Sequence, residues 1–199
     1  QQTGFSYIAQ LRSWLPREIG GILWFGNDDG NMVAYVPIYC SNTERAECFN
    51  TPGADAVTFS DKNAFWVCNW VSNMVYPRYS QLFPALKEVR DSLDNAFLAA
   101  QKGVEAKAEA LYATDKAAAV KYLNDYSIQK SNEMITRWRQ LAIHLIVKFN
   151  DMAIKPEKDG KFLRTSTGLG ERVKRTGYSD YFKRELVKQT GDKFAVPNK

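Results

Sequence analysis

The chain has 199 residues but a single histidine, His144, and only three cysteines, Cys40, Cys48 and Cys68. His144 lies between Ile143 and Leu145 within a helical pattern, so it reads as part of a helix flank. No GxSxG elbow is present to partner it, which excludes a Ser-His-Asp hydrolase of that type. A zinc site needs three or four His, Cys or carboxylate ligands at suitable spacing, and none is spaced for it, so no metal is expected. The glycine-containing stretch Thr167-Gly168-Leu169-Gly170 matches neither a P-loop nor a dinucleotide fingerprint, and no cofactor is expected. No apolar run approaches the roughly 20 residues that span a bilayer, and no signal or transit segment is visible, so no membrane partner is expected. The first residue is Gln1 rather than Met, which points to an N-terminus removed by processing or truncation.

The odd number of cysteines allows at most one internal disulfide. Their spacings, 8 and 20 residues, match no zinc ribbon or CxxC motif, and three partly buried small hydrophobes is the simplest reading. Cys40 and Cys48 flank a polar loop and could pair in an oxidising compartment. The cysteine count does not fix the compartment.

What is abundant is globular: 45% of residues are hydrophobic, 13% aromatic and 25% charged. The net charge of +5 belongs to the end of the chain, because residues 155–199 hold 12 Lys/Arg against 6 Asp/Glu. Mixed acidic residues and the absence of any RNA- or DNA-binding motif argue against nucleic acid as a partner.

The first 40 residues read as three short antiparallel strands. Residues 5–12 alternate, with Phe5, Tyr7, Ala9 and Leu11 on one face and Ser6, Gln10 and Arg12 on the other. Ile22–Phe25 form a second strand, Asn27–Asn31 a tight turn, and Met32–Tyr39 a third strand placed at an edge by Pro37. Residues 41–60 are a polar loop. Residues 61–150 are helical: Ser60 caps a helix from 61 to 76, and a long helix from 82 to 112 carries an apolar stripe through Leu86, Val89, Leu93, Phe97, Ala100, Val104, Ala108 and Leu111. Thr114 then caps a short helix ending at Leu123, and Ser127 caps another reaching Asn150 with Ile135, Trp138, Ala142, Leu145, Ile146 and Phe149 inward. Residues 151–199 are a basic, loop-rich extension with a short helix at 180–188.

Three strands are near the lower limit for an independent sheet. Trp24, Phe25, Trp66 and Trp70 offer more apolar surface than these elements need, so packing against structure preceding Gln1 is expected. Asn27, Asp28 and Asp29 form the one dense polar cluster beside a strand end. They read either as plain turn residues or as the lining of a pocket at the sheet edge. Arg12, also at a strand end, reads either as a solvated arginine or as a carboxylate-binding one.

Longer stretches are more specific. Residues 7–26 read YIAQLRSWLPREIGGILWFG, followed by NDD at 27–29 and VPIYC at 36–40. Further on come YLNDYS at 122–127, RWRQL and LIVKFND within 137–151, and GDKFAVP at 191–197. Colinear over nearly the whole chain, these stretches resemble the cysteine dipeptidases of the dipeptidase A type, which are Ntn hydrolases.

The resemblance implies an α+β chain that is the C-terminal portion of a four-layer αββα fold. It implies dipeptide hydrolysis by an N-terminal cysteine whose own α-amine serves as base. None of the three internal cysteines matches that nucleophile. The expectation is therefore a fragment without a catalytic residue, inactive alone, whose partners are a dipeptide and the upstream part of the same protein; a homo-oligomer is compatible with it. Arg12 and Asp28 are the expected substrate-pocket residues. Two other readings stay open: a non-catalytic helical binding module using Trp66 and Trp70, and a related amide hydrolase with another substrate.

Overall fold

A computed structural model of the chain describes residues 3–171 and 173–194, and it is α+β. Residues 195–197 of the GDKFAVP stretch lie outside the described residues. The chain divides into two units, Gln1–Ile146 and Val147–Lys199.

The first unit opens with strand β1 (Phe5–Leu11), one helical turn α1 (Arg17–Gly20), strand β2 (Gly21–Asn27) and strand β3 (Val36–Tyr39). They form one antiparallel sheet in the order β1-β2-β3. Tyr7 stands opposite Phe25 and Ala9 opposite Leu23, while Ser6 faces Gly26 and Gln10 faces Ile22. The third strand is shorter than the sequence pattern suggests. Met32, Val33 and Ala34 are buried in an irregular segment before β3, so their apolarity reflects core packing rather than pairing. A side chain at Gly26 would place its Cβ 2.6 Å from Val33 Cγ2, so the glycine lets this segment lie against β2.

The sheet is clothed unevenly. Ile22 and Trp24, the β2 residues on the same face as Gln10, are buried. On the opposite face Phe5, Tyr7 and Leu11 are 60%, 58% and 75% exposed, so the apolar face of β1 is turned to solvent and its polar face is half-covered. Phe25 ties the exposed rings together, stacking on Phe5 at 6.1 Å and meeting Phe49 edge-on at 5.4 Å.

Helix α2 (Ala64–Val75) buries Val67, Cys68, Val71 and Val75. Its N-cap is Asn63, not Ser60: the Asn63 side chain accepts from Trp66 N at 3.4 Å, whereas Ser60 accepts from Lys62 N within the preceding turn. Helix α3 (Tyr79–Tyr112) buries five members of the expected stripe, Leu86, Leu93, Phe97, Val104 and Ala108, and leaves Val89, Ala100 and Leu111 half-buried at its margins. Helix α4 (Lys116–Phe149) replaces the two shorter helices expected from Thr114 and Ser127. No proline or glycine interrupts residues 116–149, and Asp115 caps the start by accepting from Ala118 N at 3.0 Å. Ser127 is instead buried mid-helix, where its hydroxyl accepts from Tyr39 N at 3.4 Å. Trp138, Ala142, Leu145 and Phe149 are buried, but Ile146 is 41% exposed rather than inward-facing.

In the second unit, β4 (Ala153–Ile154) pairs with β7 (Lys174–Arg175) and β5 (Glu157–Lys158) pairs with β6 (Lys161–Phe162). The β5–β6 hairpin turns on Asp159 and Gly160, both at positive φ (51° and 72°), the backbone of a primed turn. Helix α5 (Asp180–Thr190) is capped by Ser179, which accepts from Phe182 N at 3.1 Å. Two-residue strands are too short to leave a periodic trace in sequence, so these ribbons are absent from the pattern reading.

Candidate functional site

The chain leaves β1 at Arg12, where the tight turn to α1 returns Gly20 to meet it. A Cβ at Gly20 would lie 2.5 Å from the Arg12 carbonyl oxygen, so only glycine permits this approach. The approach encloses the guanidinium. Arg12 Nη1 donates to both carboxylate oxygens of Glu105 at 2.6 Å, Nε to Gly20 O at 3.3 Å and Nη2 to Ile19 O at 3.3 Å. The two charged side chains are 8% and 11% exposed. Glu105 also accepts from Gln101 Nε2 at 3.0 Å and from the Tyr39 hydroxyl at 3.4 Å. The Tyr39 phenol is pushed upward in pKa by burial first and by the Glu105 charge second. Arg12 therefore lines an open cavity of about 630 Å³, shared with Arg17, Glu18, Cys40 and Ser41, while its donors are already engaged by protein acceptors.

Asp28 follows the last residue of β2. Its φ of 72° is left-handed, which turns the side chain back into the core, where the residue is 1% exposed. Its carboxylate accepts a hydrogen bond from the Ser72 hydroxyl on α2, and its backbone N–H donates to Gly4 O at 2.9 Å. Beside it, Asp29 Oδ1 accepts from Thr3 N at 3.4 Å.

Arg12 and Asp28 are not brought together. Leu11 pairs with Gly21 and Phe5 with Asn27, so the two residues stand at opposite ends of the sheet. Seven strand residues lie between their rows, eight rises or about 26 Å. A dipeptide is too short to touch both.

The three cysteines are free thiols, so Cys40 and Cys48 do not pair. Cys48 and Cys68 are buried. Burial pushes the Cys48 thiol up to about 12 and raises that of Cys68 further, with the Asp28 charge adding to the second. Cys40 is exposed, but its nitrogen is a peptide amide donating to Gly21 O at 2.9 Å, so it offers no α-amine to act as a base. Among the described residues no group of three His, Cys, Asp or Glu side chains could hold a metal ion, and no helix is long and apolar enough to cross a membrane.

Sequence reasoning missed Glu105 and its neighbours on α3. Asp94, Leu98, Gln101 and Glu105 recur at spacings of 4, 3 and 4, which places them on one helical face. The available signal was a carboxylate adjoining Val104 in the apolar stripe, since a charged residue seldom sits there unpaired.

Residues 1–92, which hold the sheet and helix α2, match the model of peptidase family C69. That match covers a little under half of the chain. The chain is also similar to a protein named probable dipeptidase B from Streptococcus pyogenes serotype M1, at 19% identity over 141 residues. That similarity covers 71% of this chain and 28% of the relative, so the chain spans well under a third of the relative's length.

Proposed function

We propose that this chain is the C-terminal part of a cysteine dipeptidase of Ntn-hydrolase type, and that the nucleophilic cysteine lies on polypeptide outside it. The observation that carries the reading is the solvent-facing apolar side of the sheet, within the stretch that matches family C69. Phe5, Tyr7 and Leu11 form a continuous face with the half-buried Leu23, Phe25 and Ile38, a surface suited to a second sheet packed about 10 Å away.

In this reading the upstream part supplies that second sheet and the thiol. The α-amine of that cysteine takes the thiol proton, the thiolate attacks the dipeptide carbonyl, the peptide C–N bond breaks as the C-terminal amino acid leaves with the proton, and water hydrolyses the thioester to free the N-terminal amino acid and the thiol. Arg12 and Asp28 act as positioning residues: Arg12 locks the end of β1 to α3 through Glu105, and Asp28 locks the end of β2 to α2 through Ser72. The chemistry of the internal cysteines supports an external nucleophile. Two are buried with raised pKa, and the third lacks a free amine.

The test compares dipeptide hydrolysis by this chain alone with hydrolysis by the same chain joined to its upstream polypeptide. The expected result is activity only in the joined protein, unchanged by Cys40→Ala. Dipeptide hydrolysis by the isolated chain would overturn the reading.

A second reading is favoured by the aromatic patch on α2. Phe59 is 59% exposed and contacts Trp66 and Trp70 edge-on at 5.7 and 6.4 Å. A binding module would use this patch, and the same activity comparison separates the two readings, since a module stays inactive in both forms.

A further inference from the structure

A second cavity, of about 430 Å³, opens between the edge strand β1 and helix α3, away from the Arg12 cavity. Trp24 and Tyr35 contribute to its lining, Ile8 and Leu98 bound it on either side, and Asp94 supplies a carboxylate. Ile8 and Leu98 are 58% and 55% exposed, so the entrance is apolar and open to water. Its volume lies in the range of small-molecule sites, and an apolar lining with a few placed polar groups is their usual character.

The polar groups around the cavity are almost all satisfied by one another. Gln10 Oε1 accepts from Trp24 Nε1 and from Gln101 Nε2, both at 3.0 Å. The Tyr35 hydroxyl is bonded to Ser6 Oγ at 2.8 Å. Asp94 is the exception. Its Oδ1 accepts from Tyr35 N at 2.9 Å, but among the described residues no hydrogen bond or ion pair reaches Oδ2. The nearby Arg90 does not neutralise it, because that guanidinium is committed to Asp91, at 2.9 and 2.7 Å, and to the carbonyl of Asn31. Burial raises the pKa of Asp94, as expected for a carboxylate drawn out of water without an opposing charge in contact. A half-buried carboxylate at one end of an apolar cavity has one complementary ligand chemistry: a cation that donates hydrogen bonds and carries an apolar body.

We infer that this cavity is a binding site for a small primary amine, with the ammonium on Asp94 Oδ2 and an aromatic or branched aliphatic body between Ile8 and Leu98. The inference is independent of the peptidase reading and stands or falls without it.

The test uses the ¹⁵N-labelled 199-residue chain at neutral pH and low salt, titrated with phenethylamine and, separately, with N-acetylphenethylamine. The indole N–H signal of Trp24, assigned through Trp24→Phe, reports on the cavity. Phenethylamine should shift it saturably. The neutral amide, which offers no ammonium to the carboxylate, should bind at least ~10-fold more weakly. Asp94→Asn keeps an acceptor for Tyr35 N and should lose at least ~10-fold in phenethylamine affinity. If that variant does not fold, Leu98→Lys carries the same test: it changes an exposed position, sets an ammonium against Asp94 and should abolish phenethylamine binding. Equal affinity for the amide, unaltered affinity in Asp94→Asn or Leu98→Lys, or the absence of a saturable shift at Trp24 would each overturn the inference.

Discussion

Replacing Glu105 by alanine tests how the sheet is fastened to the helices. The substitution removes both acceptors of Arg12 Nη1 and one partner each of Gln101 and Tyr39. The guanidinium stays where it is, 8% exposed, with only two carbonyl oxygens left to it. Removing one member of a buried pair leaves an uncompensated charge, which costs about 3–5 kcal/mol. For a chain of this size that loss lowers Tm by roughly 10 °C. Glu105→Gln retains an acceptor oxygen and should lose less than Glu105→Ala. The double variant Arg12→Leu/Glu105→Leu removes both charges together and should be more stable than Glu105→Ala alone. The measurement is urea unfolding followed by tryptophan fluorescence and circular dichroism. A loss below ~1 kcal/mol for Glu105→Ala, or strict additivity of the two single changes, would refute the claim that this pair is buried and mutually dependent.

Three further outcomes are expected. Gly20→Ala drives a Cβ to 2.5 Å from a backbone carbonyl that has no flexible end to yield, so it should destabilise by about 2 kcal/mol or more, seen as a lower urea midpoint at unchanged slope. Iodoacetamide should label Cys40 in the native chain and reach Cys48 and Cys68 only on unfolding, a pattern that peptide mass mapping reads directly. Asp94 has a folded pKa raised above its ordinary value of 3.8, with burial opposing the ionised form more strongly than Tyr35 N and Arg90 support it. The folded state then holds the proton more firmly than the unfolded state, so this group's contribution to stability falls as pH rises from 3.8 through the folded pKa. Asp94→Asn should remove that fall, and identical pH profiles for the two proteins would contradict it.

Much of the helical architecture could be read in advance. The stripe on α3 is a 3.6-residue period, and its centre line from Leu86 to Ala108 is buried while Val89, Ala100 and Leu111 are half-covered. Helix ends were less legible, because a capping residue signals a start only where the chain bends. Ser127 has the right chemistry for a cap but lies on an unbroken helix, with its hydroxyl turned to Tyr39. The irregular segment before β3 is apolar for the same reason a strand would be, so composition could not separate them. Arg12 and Asp28 were recognisable as strand-end residues. Their opposite positions follow only from the β1–β2 register, and their partners Glu105 and Ser72 are 93 and 44 residues away in sequence.

Strand β1 inverts the usual rule for guessing which positions tolerate change. Its glutamine is clamped between an indole and a second amide, whereas its phenylalanine, tyrosine and terminal leucine meet water over most of their surfaces. In the chain by itself, a scan along this strand should find charge harmless at Tyr7 and harmful at Gln10, the reverse of what hydrophobicity alone dictates. A polypeptide seated on those rings would restore the ordinary ranking, so the tolerance profile of seven consecutive residues measures whether the sheet has acquired its cover.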